Sequence, residues 1–209
     1  MDGWRSPAPG PRRRLAALAA AAGLVASVAA AWVGTGGAEQ PAATPVPGFA
    51  ARFALTTAEG AAVTEASYRG KWLLVYFGYT YCPDLCPTAL AAVAGAVERL
   101  GPAGERVQPL FITVDPDRDT PAILAAYAQA FGGHLAALRG SAADTAAAAR
   151  AFRVSYARRD LGDGSYAIDH SSFIYVVDPQ GRLVGLVTAD SAAHDLAARL
   201  QGLLGGAAG

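Results

Sequence analysis

Cys82 and Cys86 are the only two cysteines in a chain of 209 residues, and they stand four apart in Tyr81-Cys82-Pro83-Asp84-Leu85-Cys86-Pro87. Four is one helical step, so on a helix the two side chains share a face about 5–6 Å apart. Three chemistries fit that spacing. A disulfide can form, because its Cα separation runs from about 4.4 to 6.8 Å. Both sulfurs can bind one ion, since at about 2.3 Å from a trigonal metal they would lie roughly 4 Å apart. The pair can also exchange disulfides, one thiolate attacking and the other thiol resolving. A purely structural bridge would close too short a loop to add much stability. At a helix start, unpaired amides and the helix dipole favour thiolates for any of these uses.

The order of elements says what must position the pair. Residues 71–77 form a nearly continuous apolar run, as expected for a strand buried on both faces. Pro87 suits a helix first turn, and helical spacing continues over 89–100 until Gly101-Pro102. The cysteines therefore sit where the first core strand gives way to a helix. Residues 107–114 are a second buried strand, and Thr120-Pro121 caps and opens a helix that closes at Gly132-Gly133. A short strand is expected over 135–138 and a helix over 141–152 capped by Ser141 or Asp144. Residues 153–156 read as extended and 158–165 as a polar loop. A strand over 172–177, a turn at 178–181 and a return strand over 182–188 make a hairpin. Ser191 is expected to cap a last helix to Leu204. Residues 49–57 with the Glu59-Gly60 turn suggest an accessory hairpin. A βαβ unit followed by a ββα unit is thioredoxin-like α/β topology.

In such a fold the loop before the 172–177 strand faces the helix start that carries the cysteines. Asp169-His170-Ser171-Ser172 occupies that loop, so His170 points at the thiols. His134, after a helix-ending Gly-Gly, and His194, in the first turns of the last helix, read as surface residues. Two thiolates and an imidazole make a soft three-coordinate set that suits Cu(I), and Cu(II) with a distorted or added ligand. Structural zinc wants four protein ligands, and no fourth soft donor is evident. The acidic block Asp115-Pro116-Asp117-Arg118-Asp119 follows the second strand and so lies at the same sheet edge. It serves as a turn and helix cap, or as a partner-docking or supporting group for the site. Asp169 is a candidate to orient His170. Tyr79 and Tyr81 flank Cys82. One belongs to the core, and the other shields a metal or meets a partner.

Ahead of this domain, Arg5, Arg12, Arg13 and Arg14 precede an uncharged run over 15–33. As a helix those residues span about 28 Å, close to the roughly 30 Å hydrocarbon core. A single-pass inner-membrane anchor over 15–33 is expected, with the basic segment 1–14 in the cytoplasm and the remainder in the periplasm. A cleaved signal peptide is the alternative, because Ala29-Ala30-Ala31 and Gly36-Gly37-Ala38 offer small-residue cleavage patterns. Residues 34–47 read as a Gly/Pro/Ala-rich linker, and 48–209 as the thioredoxin-like domain. Net charge is zero from 17 basic and 17 acidic residues, with no basic stripe, so nucleic acid is not an expected partner.

Three blocks in order, YFGYTYCPDLCPTAL, FITVDPDRDTP and DHSSFIYVVDPQG, resemble the Sco/SenC family of copper chaperones for cytochrome c oxidase assembly. The resemblance covers roughly residues 48–203. It implies a thioredoxin-like domain tethered by an N-terminal helix, with a copper ion, Cu(I) or Cu(II), held by Cys82, Cys86 and His170. It also implies delivery of copper to the binuclear centre of an oxidase subunit, or reduction of that subunit's Cys pair. The partners implied are the copper-receiving subunit of cytochrome c oxidase and a periplasmic copper donor or thiol reductant. A metallochaperone is therefore expected, with a thiol-disulfide reductase as the alternative. Disulfide exchange needs no third ligand, so His170 divides the two.

Overall fold

The computed structural model describes residues 45–47, 49 and 51–206. The anchor expected over 15–33, the basic segment before it and most of the linker lie outside the described residues. Among the described residues, no helix is long and apolar enough to cross a membrane.

Two strands that are apolar on both faces set the centre. β3 (Trp72–Gly78) and β4 (Val107–Thr113) run parallel, with Trp72 opposite Val107 and Gly78 opposite Thr113. Side chains alternate along a strand. Trp72, Leu74, Tyr76 and Phe111 therefore enter one layer, formed with α1 (Leu85–Arg99), α2 (Pro121–Gln129) and α4 (Ala193–Gly206). Leu73, Val75, Phe77, Leu110 and Ile112 enter the other, where α3 (Ala142–Phe152) packs. Burial on both sides explains why these strands read as continuous apolar runs.

The sheet has seven strands in the order β2 (Ala62–Thr64), β1 (Ala54–Thr57), β5 (Ala136–Arg139), β4, β3, β8 (Phe173–Val177), β9 (Leu183–Thr188). β3, β4 and β5 are parallel, joined by α1 and α2, while β8 and β9 are antiparallel additions beside β3. This is the expected mixed α/β, thioredoxin-like arrangement, with β1–β2 as the accessory hairpin. Local chemistry sets the helix starts. The Thr120 hydroxyl accepts from the Ile123 amide ahead of Pro121, and Ser141 and Asp144 form a reciprocal cap. Ser191 does not cap α4. The Ala192 carbonyl accepts the Leu196 amide, and the Ser191 hydroxyl pairs with Thr188 instead.

Residues 158–165 are not simply a polar loop. β6 (Tyr156–Asp160) pairs antiparallel with β7 (Tyr166–His170) in a separate two-stranded sheet. β6 carries no apolar alternation, because Arg158, Arg159 and Asp160 are exposed. Gly162 and Gly164, at φ +89° and +84°, turn the chain between the strands. His170 is thus the last residue of a strand rather than a loop residue. The hairpin has no ladder hydrogen bonds to the main sheet.

Candidate metal centre

β3 ends at Gly78, and the chain turns over Tyr79–Cys82, where the Tyr79 carbonyl accepts the Cys82 amide at 3.2 Å. α1 then begins at Leu85. Its first orphan donors are met in part by sulfur: the Cys86 amide donates to Cys82 Sγ at 3.4 Å. Asp84 precedes the helix, but its side chain makes no cap bond. Pro87 is the third helical residue, where its missing N–H costs nothing. Cys86 faces inward toward β3 and is fully buried, whereas Cys82 is partly exposed. Gly78 permits this fit, because a Cβ there would lie 2.8 Å from Cys86 Sγ and 3.0 Å from the Phe111 ring. The two cysteines are free thiols.

His170 reaches the pair from the hairpin. Its Nε2 lies 3.5 Å from Cys86 Sγ, and its Nδ1 lies 3.0 Å from the Ser171 carbonyl. A carbonyl only accepts, so Nδ1 carries the proton and a neutral ring turns the Nε2 lone pair toward the sulfurs. That is the tautomer a metal-binding imidazole takes. One donor atom from each of Cys82, Cys86 and His170 lies within 4.8 Å of the others. The set is soft, partly buried and open on the Cys82 side, so the residues fit a single Cu(I) ion.

The thiols are electrostatically unequal. Hydrogen bonding from Cys86, with help from the helix-start amides, pulls Cys82 down to about 4. Hydrogen bonding to the Cys82 thiolate, together with burial, pushes Cys86 above the ordinary thiol range. The pair thus holds one shared proton, which a metal would displace. Tyr76 also meets Cys86, its hydroxyl donating to Sγ at 3.8 Å. Burial raises the Tyr76 phenol further, so it stays a neutral donor.

The remaining expected residues separate by role. Tyr79 is buried, and its ring packs edge-on against His170 at 6.0 Å. Tyr81 is 58% exposed, with the Arg118 guanidinium 4.8 Å from its ring centre. Asp119 is fully buried and does not cap α2. Its carboxylate accepts from the Thr80 amide, the Thr80 hydroxyl and the Thr113 hydroxyl, bracing the turn two residues before Cys82. Asp115 accepts from Arg118 and from the Tyr166 hydroxyl. Asp117 is exposed. Asp169 does not orient His170: its carboxylate pairs with Arg159 on the hairpin surface, and the Ser171 carbonyl holds the ring. Sequence reasoning missed Tyr76, Thr80, Arg118 and Tyr166. Tyr76 was accessible in principle, because β3 alternation puts it on the same face as α1.

A family profile described as SCO1/SenC matches residues 41–205. The chain is 44% identical over 132 residues to the mitochondrial Protein SCO2 homolog of Bos taurus, covering 62% of this chain and 50% of that protein. The chain thus spans about half the length of such relatives. The structure of Bradyrhizobium japonicum ScoI with copper bound matches with TM-score 0.69 at 38% identity, covering 73% of this chain and 98% of that one. Apo Sco1 from Thermus thermophilus matches with TM-score 0.71 at 38% identity, covering 80% and 99%. With the profile spanning the cysteines, the histidine and most of the fold, the chain belongs to the SCO1/SenC family.

Proposed function

We propose that this chain is a copper metallochaperone that carries one copper ion on Cys82, Cys86 and His170 for assembly of cytochrome c oxidase. The observation that carries the reading is the convergence of two sulfurs and an imidazole nitrogen within 4.8 Å, from elements 84 residues apart in sequence. Copper is the cargo. The two thiolates and the Nε2 lone pair hold it, and the open side at Cys82 lets an acceptor's ligand approach. Its relative from Bradyrhizobium japonicum holds copper on the same fold, which supports the choice of metal. The oxidase as destination rests on the family resemblance. A tether over 15–33 would hold the domain at the membrane face where such an acceptor lies. Membrane fractionation with N-terminal sequencing tests it, and a soluble product starting near Trp32 or Glu39 would remove it.

One observation favours a second activity. Cys82 is accessible and ionised while Cys86 is buried and protonated, the asymmetry of an attacking and a resolving thiol. Thiol-disulfide reduction of the acceptor's Cys pair uses the same sulfurs without His170. Cells lacking the gene, complemented with wild type or His170→Ala, separate the two. The chaperone reading expects low oxidase activity and copper content with His170→Ala, while the purified variant still reduces disulfides as its own Cys82 and Cys86 become oxidised. Normal oxidase maturation by that variant would leave the reductase reading alone.

A further inference from the structure

The hairpin that carries His170 needs an anchor, because β6–β7 forms its own two-stranded sheet. Chain continuity holds one end: Ser171 pairs with Ser155, and β8 starts three residues after His170. Ile168 is buried in the core facing α3. The other end begins at Tyr166, four residues and about 13 Å of strand before His170. There the side chain of Arg118 crosses to it.

Arg118 sits where the end of β4, the cysteine turn and the His170 hairpin meet. Its Nε donates to Asp115, which follows β4. Its Nη1 donates to the Tyr166 carbonyl at 2.9 Å, and its guanidinium stacks 3.6 Å from the Tyr166 ring centre. The Tyr166 hydroxyl returns to Asp115 at 2.8 Å, closing a ring of three residues. The same guanidinium lies 4.8 Å from the ring centre of Tyr81 and 5.6 Å from that of Tyr79, both on the cysteine turn. Tyr79 in turn packs edge-on against His170. Nη2 is buried without a hydrogen-bond partner. A planar, permanently charged group suits such a position, since it forks to two acceptors while its faces stack.

We propose that Arg118 is the positioning residue of the metal centre: it latches the His170 hairpin to the cysteine turn and so sets where Nε2 stands. The proposal rests on the copper reading above only for its affinity readout. Lysine does not replace it, because an ammonium keeps the charge opposite Asp115 but neither forks nor stacks.

The test uses the reduced full chain. In metal-free protein, hydrogen exchange of the 166–170 amides is compared between wild type and Arg118→Lys, with 173–177 in β8 as the internal reference. The latch predicts at least about tenfold faster exchange over 166–170 with β8 unchanged. Cu(I) affinity by competition should fall about 10–100-fold in Arg118→Lys, the range for groups that orient ligands. The double variant Arg118→Lys/His170→Ala should bind no more weakly than His170→Ala alone, because the latch acts through the histidine. Equal affinity loss in both backgrounds, or unchanged exchange over 166–170, would overturn the proposal. If Arg118→Lys does not fold, Tyr166→Leu removes the hairpin side of the latch and is read by the same two outcomes. If His170→Ala binds Cu(I) as tightly as wild type, the ligand assignment fails, and the metal-free exchange still decides the latch.

Discussion

The Tyr76 hydroxyl meets Cys86 Sγ at 3.8 Å in the buried junction between β3 and α1. The contact follows from alternation. Leu74 and Tyr76 point into the layer that α1 covers, and Cys86 is the first residue of α1 to enter it. A phenol held neutral by burial offers its proton to whichever sulfur species Cys86 becomes. Tyr76→Phe should leave the fold intact, since the ring keeps its packing. Removing a hydrogen bond worth about 0.5–1.5 kcal/mol should weaken Cu(I) binding by roughly two- to tenfold. Unchanged affinity by competition titration would show that the hydroxyl does not act on the bound state.

Cys82 is pulled down to about 4 from about 9, so its thiolate fraction in the folded, reduced chain is constant above roughly pH 5. Its alkylation by iodoacetamide should be flat from about pH 5 to 8, where an ordinary thiol gains about tenfold per unit. Buried Cys86 should lag, as peptide mapping by mass spectrometry can read. The linkage sign is fixed by the same shift. The Cys82 contribution to stability is full above the unfolded value near 9, and it is lost as pH falls toward 4. The raised Cys86 acts in the opposite sense, its contribution being lost as pH rises beyond the ordinary thiol range. A Cys82→Ser chain should lack the acid-side slope in its melting temperature.

Gly78 should tolerate no side chain. A Cβ would stand 2.8 Å from Cys86 Sγ and 3.0 Å from Phe111. Gly78→Ala should therefore destabilise by about 1–3 kcal/mol, as overpacking of a core does, and should displace a ligand sulfur. Urea unfolding measures the first and Cu(I) competition the second. A stable variant with wild-type affinity would mean that α1 shifts freely against β3.

Asp119 supports the cysteine turn from beneath. Asp119→Ala leaves the Thr80 amide and the Thr113 hydroxyl without their acceptor. The expected cost is about 1–3 kcal/mol in urea unfolding, with weaker Cu(I) binding because Thr80 stands two residues before Cys82. Stability loss without any change in affinity would confine Asp119 to a structural role.

Much of this was legible in the sequence for physical reasons. Strands buried on both faces announce themselves as apolar runs, so β3 and β4 and the cysteines at the strand-to-helix junction could be placed without coordinates. His170 could be aimed at the thiols once the order of elements was known. What stayed hidden was the hairpin beneath it. β6 reads Tyr-Ala-Arg-Arg-Asp, with no apolar face, because stacking and ion pairs at Arg158 and Arg159 replace burial there. The partners of Asp115, Asp119 and Asp169 were hidden for a related reason. A carboxylate's role depends on which donor the fold brings to it, and Tyr166, Thr80 and Arg159 each reach their carboxylate from a separate part of the chain.

The copper reading requires that two sulfurs and one imidazole hold one ion together. Anaerobic Cu(I) titration of the reduced chain, with metal analysis, tests it most directly. Wild type should bind one equivalent. His170→Ala should still bind, but at least about 10–100-fold more weakly, and Cys82→Ser or Cys86→Ser should lose tight binding. The oxidised chain should also lose it, since a disulfide offers no thiolate. Wild-type affinity in His170→Ala, or tight binding by the oxidised chain, would contradict the assignment.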